Sequence, residues 1–162
     1  MVDGVGCVFK FVCKGLSVPV FKRYMRYSPV LAEGLMSKPP ITASEDASID
    51  DVARIMWENR VGCVLIVDRE NRLVGVLTER DMLYASAHLL FGRDVKAGSI
   101  MSKNLVTASP QDDVLSVVEK MKDFNIRHIP VVGRDGTPLG VISTRDILDF
   151  GMRMLSLFIR PD

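Results

Sequence analysis

Shifted against itself by 65 residues, the chain aligns residues 36–83 with 101–148 without a gap, with 15 identities in 48 positions. Met36-Ser37-Lys38 meets Met101-Ser102-Lys103, Thr42-Ala43-Ser44 meets Thr107-Ala108-Ser109, Gly75-Val76 meets Gly140-Val141, and Arg80-Asp81 meets Arg145-Asp146. Many other pairs exchange one apolar residue for another, as Ile66 with Val131 and Leu77 with Ile142. Two copies are too few for a solenoid. They imply two halves that bury their apolar faces against each other about a pseudo-twofold axis.

Each copy reads as the same series of elements. A short extended piece (41–43; 106–108) leads to Ser48 or Asp113, whose side chains suit a helix N-cap. Ile49, Val52, Ala53 and Met56 then recur at helical spacing, as do Val114, Val117, Val118 and Met121. Two β-branched runs follow, 63–67 with 74–77 and 128–132 with 139–142. Asp135-Gly136 provides the residues a hairpin with positive φ favours, and Glu70-Asn71 is its weaker counterpart. A last helix begins after Thr78 or Ser143. The expectation is an α/β (α+β) fold of two pseudo-twofold-related β-α-β-β-α repeats, with 84–99 connecting them.

Domain limits follow: an arm over 1–34 that packs on the module, a first domain with its linker helix over 35–92, and a second with a C-terminal helix over 93–162. The arm carries Lys10, Lys14, Lys22, Arg23 and Arg26 against Asp3 and Glu33, while the 162-residue chain as a whole has a net charge of only +1. That balance argues against a general nucleic-acid binder. Cys7, Cys13 and Cys63 form neither a disulfide framework nor a zinc motif and suit a reducing cytoplasm. Lys10 and Lys14 interrupt the one signal-like stretch, and no apolar run approaches the roughly 18 residues of a membrane span. A cytoplasmic protein without membrane association is expected.

Chemistry concentrates in two places. Ser143-Thr144-Arg145-Asp146 and Thr78-Glu79-Arg80-Asp81 each end a strand and open a helix. As capping boxes, their hydroxyl and carboxylate satisfy the first N–H groups of the helix. As a ligand site, the helix start and arginine favour phosphate while the aspartate accepts ribose hydroxyls. Both readings stay open on the residues alone. The second place is Asn125 to Val132, where a strand enters the sheet with Arg127 and His128. Pro130, which cannot donate to a ladder, puts that entrance at an edge or beside a cleft. There too the cations serve either as ordinary surface groups or as partners of an anion.

The tandem unit, its Met-Ser-Lys opening, Ile-Arg-His-Ile-Pro-Val-Val and Gly-Val-Ile-Ser-Thr-Arg-Asp-Ile resemble a pair of cystathionine-β-synthase (CBS) domains, the arrangement called a Bateman module, over about residues 35–150. The resemblance implies two clefts between the halves that bind adenosine compounds: AMP, ADP, ATP or S-adenosylmethionine. It nominates Ser143 and Asp146 for the sugar in one cleft, with Thr144 and Arg145 beside them, and Thr78, Arg80 and Asp81 in the other. Around the base it nominates Val106 and Thr107, with Ile41 and Thr42 as counterparts. Arg127, His128, Ile129 and Pro130 are expected to hold base and phosphate, and Cys63 and Val64 stand in equivalent positions of the first copy. Because Gly62 and Cys63 replace Arg127 and His128, and Glu79 replaces Thr144, the cleft of Asp146 is expected to bind nucleotide more tightly.

No P-loop, dinucleotide fingerprint, metal-binding His pair or nucleophile elbow is present, and Gly4-Val5-Gly6 lacks the strand and third glycine. Cys63 reads as a buried strand thiol, His88 as structural, and Trp57 as core or interface. The expected protein is a non-catalytic regulatory module with no catalytic residue and no metal, homodimeric through exposed helix faces as the resemblance implies, and read by a further, unidentified protein. Two competing readings are a scaffold whose clefts are vestigial and a nucleic-acid role for Lys22-Arg23-Tyr24-Met25-Arg26-Tyr27.

Overall fold

The computed structural model of the chain describes residues 30–159. The basic arm up to residue 29, with Cys7, Cys13, the 22–27 run and any packing of that arm on the module, lies outside the described residues. Within them the order is α1 (Ala32–Leu35), β1 (Thr42–Ser44), α2 (Ile49–Asn59), β2 (Cys63–Val67), β3 (Leu73–Thr78), α3 (Glu79–Ala87), α4 (Ala97–Ile100), α5 (Val114–Asp123), β4 (His128–Val132), β5 (Pro138–Ser143) and α6 (Thr144–Ile159). Each repeat is thus preceded by a short helix, α1 or α4.

Local chemistry sets these limits. Ser48 Oγ accepts the Asp51 N–H (3.1 Å) to start α2, and Asp113 accepts the Leu115 N–H (3.1 Å) to start α5. The buried stripes of the two helices are Ile49, Val52, Met56 and Val114, Val117, Met121, each three and four residues apart. The hairpins turn through Asn71 (φ 60°) and Gly136 (φ 84°), as the sequence predicts. β2 runs antiparallel to β3, and β4 to β5.

One expected symmetry fails. β1 lies parallel to β2 as a strand, but residues 106–108 are held beside β4 by a single bridge, Ala108 to Val131. In the first repeat Leu65 N–H donates to the Ile41 carbonyl at 3.0 Å. Pro130 occupies the equivalent place and has no N–H to offer the Val106 carbonyl. The neighbouring bonds survive, Ala108 N–H to Pro130 O and Val132 N–H to Ala108 O at 2.9 Å each, so the register is kept while one rung is missing.

The two halves exchange segments. Ala97 of α4 and Met101 pack into the first repeat's core with Ala43, Val52, Met56, Val64, Ile66 and Leu77. Ala32 of α1 and Met36 pack on the second core with Ala108, Val117, Met121, Ile129, Val131 and Ile142. Reciprocal backbone bonds fix the exchange: Ala97 N–H to Ala47 O and Ala32 N–H to Asp112 O at 2.8 Å each, and paired bonds joining Ser102 with Val76 and Ser37 with Val141. Residues 31–35, of which the sequence assigns 31–34 to the arm, are therefore the counterpart of 96–100, and the repeat extends upstream of Met36. Val64 and Ile129 are fully buried within these cores rather than in a cleft, because strand alternation turns them inward. Trp57 is 84% exposed and so is not core, and His88 caps α3 with its ring 4.2 Å from that of Tyr84.

The exchange depends on two glycines. A methyl at Gly75 would overlap the Met101 side chain, and one at Gly140 would stand 2.7 Å from Met36 Sδ and 2.8 Å from the Ser37 carbonyl. Gly75→Ala is expected to lower stability by about 1–3 kcal/mol, the usual cost of overpacking a core. Adding Met101→Ala relieves the overlap, so the double variant is less destabilised than the sum of the two single changes. Gly140→Ala gains no such relief from Met36→Ala, since a backbone carbonyl also stands in the way. Urea unfolding of the seven proteins, wild type, four single variants and two doubles, measures both expectations.

Candidate functional site

Exchange of segments across the two halves creates two clefts, each built from both repeats. The larger, of about 370 Å³, takes Ser143, Thr144, Arg145 and Asp146 from the start of α6 and Ile41, Gly62, Cys63 and Glu79 from the first repeat. The smaller, of about 250 Å³, takes Thr78, Arg80 and Asp81 from the start of α3 and Val106, Ile126 and Pro130 from the second repeat. Arg127 and His128 line both. The entrance of β4 therefore serves the cleft of Asp81 as much as that of Asp146. These cations, expected to favour the cleft of Asp146, are therefore shared and give it no advantage in charge over that of Asp81.

Of the residues singled out in the sequence, Thr42, Thr107, Val64 and Ile129 line neither cleft. Thr42 pairs with Leu65 in β1, one residue beyond Ile41 and on the opposite face. The Thr107 carbonyl instead accepts the Lys120 ammonium (3.1 Å), which also pairs with Asp112 (2.8 Å). The clefts also contain residues that the motifs alone did not single out: Ser37, Pro39 and Pro40 beside Asp146, and Ser102, Asn104 and Leu105 beside Asp81. They follow Met36 and Met101, so the repeated Met-Ser-Lys was their signal.

The capping and ligand readings of the Ser/Thr-x-x-Asp elements are compatible, because a carboxylate has two oxygens. Asp81 Oδ2 accepts both the N–H and the hydroxyl of Thr78 at 2.7 Å. Asp146 Oδ2 accepts the N–H (2.7 Å) and hydroxyl (2.5 Å) of Ser143. These contacts start α3 and α6 and hold each carboxylate in one orientation. The second oxygens differ. Asp146 Oδ1 accepts the Ser37 hydroxyl at 3.2 Å, whereas among the described residues Asp81 Oδ1 has no partner.

A second difference comes from Pro130. In the cleft of Asp146 the Ile41 carbonyl is occupied by the Leu65 N–H (3.0 Å). In the cleft of Asp81 the Val106 carbonyl has no such donor among the described residues. The smaller cleft thus offers a free carbonyl, a free carboxylate oxygen and the Arg80 and Arg127 guanidinium groups, with Leu105, Ile126 and Pro130 as apolar walls. The larger cleft adds Arg60 and Arg145 but also the Glu79 carboxylate.

Burial pushes the Cys63 thiol up to about 12, which keeps it protonated and a poor nucleophile at neutral pH. Burial, and then the neighbouring Arg127, hold the His128 imidazole below its ordinary value, while Glu79 and Asp146 act against them. Among the described residues no group of three His, Cys, Asp or Glu side chains is placed to hold a metal ion, and no helix is long and apolar enough to cross a membrane.

The CBS domain pattern matches residues 32–88 and 97–153 of this chain. A solved CBS domain pair of protein MJ0100, in complex with 5′-methylthioadenosine and S-adenosyl-L-methionine, is 32% identical, superposes with a TM-score of 0.71, and is matched over 78% of this chain and 99% of that one. A CBS domain protein of Pyrobaculum aerophilum complexed with AMP is 34% identical with a TM-score of 0.71, matched over 81% of this chain and 100% of that one. L-aspartate semialdehyde sulfurtransferase of Methanocaldococcus jannaschii is 34% identical over 121 residues, 74% of this chain and 23% of that enzyme. The chain spans about a quarter of the length of the first such curated relatives.

The sign of the His128 shift gives a pH dependence. A folded-state value below the ordinary 6.5 means that the unfolded chain takes up this proton first as the pH falls. Stability contributed by the neutral imidazole is complete above pH 6.5 and declines below it, down to the folded-state value. His128→Asn is expected to flatten the stability profile between pH 7 and about 5, where an unperturbed histidine titrates. Denaturant titrations at a series of pH values measure the slope; an unchanged slope contradicts the expectation.

Proposed function

The chain belongs to the CBS domain family, and on that premise we propose that it is a non-catalytic regulatory module that binds an adenosine-containing ligand between its repeats. The observation that carries this reading is the cleft of Asp81, where three kinds of partner converge. The Val106 carbonyl, deprived of a ladder donor by Pro130, accepts the exocyclic amino group of adenine. Leu105, Ile126 and Pro130 cover the faces of the base. The free oxygen of Asp81 accepts ribose hydroxyls, and Arg80 with Arg127 neutralises phosphate. Relatives bound to AMP, S-adenosyl-L-methionine and 5′-methylthioadenosine support the same class of ligand. AMP, ADP and ATP are the first candidates and S-adenosylmethionine the next.

The cleft of Asp146 is the second site in this reading. A ligand there displaces the Ser37 hydroxyl from Asp146, finds the Ile41 carbonyl already bonded, and meets Glu79. Charge counted along the sequence favoured this cleft; the tally of free hydrogen-bonding groups favours the other. Because each cleft is walled by both repeats, a ligand joins them and shifts the module toward its closed arrangement by its differential affinity for the two states. Trp57, Leu83 and Tyr84 of the first repeat and Phe124, Leu148 and Met152 of the second leave an apolar helical surface exposed, which supports homodimer formation through these faces. A regulated protein then reads the assembly.

Thermal unfolding with AMP, ADP, ATP and S-adenosylmethionine tests the ligand class. A true ligand at about 100 times its dissociation constant stabilises by about 2.7 kcal/mol. Asp81→Ala should abolish most of that gain and Asp146→Ala should retain it. Pro130→Ala, which returns an N–H to the ladder, should weaken binding by about 0.5–1.5 kcal/mol, the worth of one hydrogen bond. Absence of stabilisation by every adenosine compound overturns the proposal in favour of a scaffold with vestigial clefts.

A further inference from the structure

Arg127 and His128 stand on the wall between the two clefts, and each lines both. Their counterparts in the first repeat, Gly62 and Cys63, line only the cleft of Asp146 and bring no cation. One guanidinium and one imidazole, both supplied by the second repeat, therefore serve two sites. We propose that this shared pair couples the clefts, so that an adenosine ligand with an anionic tail in one weakens binding of a second such ligand in the other, while an uncharged adenosine ligand enters either independently. The inference rests on the adenosine reading above and goes beyond it by naming how the two sites communicate.

The backbone beneath the pair is fixed. His128 is in register with Ser143 in the β4–β5 ladder, and the Arg127 carbonyl accepts the Thr144 N–H at 3.0 Å. Only the side chains are free to answer a ligand. On one side the imidazole closely approaches the first repeat: a methyl on Gly62 would lie 3.4 Å from its Nε2 and 3.3 Å from the Glu79 carboxyl carbon. The charged groups around it are Arg127 on its own strand, Glu79 of α3 and Asp146 of α6, with Arg60 and Arg145 farther along one cleft and Arg80 and Asp81 along the other.

In the free protein, burial and Arg127 keep the imidazole neutral at neutral pH. A phosphate arriving in either cleft favours the imidazolium, so a proton is taken up with the ligand. The second phosphate then meets a like charge across the wall that Arg127 and His128 form, where the shared cations are already engaged. A ligand without a charged tail neither draws the proton nor repels its neighbour.

Calorimetric titration of the full chain with AMP and with adenosine separates the possibilities. Asp81→Ala and Asp146→Ala give the affinity of each cleft alone. The second AMP is expected to bind the unsubstituted protein about tenfold more weakly than the same cleft binds it alone, within the usual range of coupling between sites. Binding heats should vary with the ionisation enthalpy of the buffer, showing proton uptake with AMP and none with adenosine, and protein holding a single AMP should accept adenosine in its other cleft as tightly as that cleft binds it alone. His128→Gln should abolish the proton uptake and reduce the coupling. A second AMP step equal to the affinity of that cleft alone, without buffer-dependent heat, overturns the coupling and leaves the adenosine reading standing. Binding of neither compound overturns both.

Discussion

A thioether can lie directly on the backbone of a strand only where that strand has no side chain, and this constraint governs the joining of the two repeats. Met101 occupies the space above Gly75, and Met36 that above Gly140, so each repeat's core is completed by a segment leading into the other. Fully burying a methionine side chain contributes about 1.5–3 kcal/mol; Met101 is buried and Met36 partly buried, and the gain from each requires both halves. The reciprocal backbone bonds around Ser37 and Ser102 follow from the same crossing. Because the crossing segments then run on into Pro39 and Pro40 or Asn104 and Leu105, the lock that joins the halves also lines the clefts between them.

Within those clefts the polar groups divide their capacity between fold and surface. One oxygen of each aspartate starts a helix, which fixes the direction of the other. Two near-identical elements consequently present different chemistry: Ser37 occupies the second oxygen of Asp146, and Asp81 keeps its own. Pro130 adds to this difference by removing a single donor from the ladder. A backbone carbonyl beside an apolar wall is a strong acceptor when its usual partner is missing, since leaving it unpaired is costly. Duplication supplied a symmetric frame, and a few substitutions made its two openings unequal.

Much of the fold was legible along the chain. The 65-residue shift, the caps at Ser48 and Asp113, the helical stripes and the turn at Gly136 all express local conformational preference or periodic burial, which act between residues close in sequence. The limits of the repeat were less clear, because Ala32 and Ala97 are alike while Glu33 faces Gly98 and Gly34 faces Ser99, with too little identity to carry the alignment upstream. Trp57 reads as apolar and therefore core or interface; its exposure is decided by the neighbours it lacks.

Sequence alone determined that two like halves exist, that each ends a strand in a hydroxyl residue and opens a helix with an aspartate, and that the second copy alone brings Arg127, His128 and Pro130. Only the tertiary structure decided which of these groups share a cleft. Ser143 and Asp146 came to face Ile41 and Cys63, Thr78 and Asp81 came to face Val106 and Pro130, and Arg127 with His128 fell on the wall between. The reason is that spacing along a chain fixes the face of an element on which a residue lies, whereas the partner across a cleft is set by how two packed halves cross, a relation between residues remote in sequence.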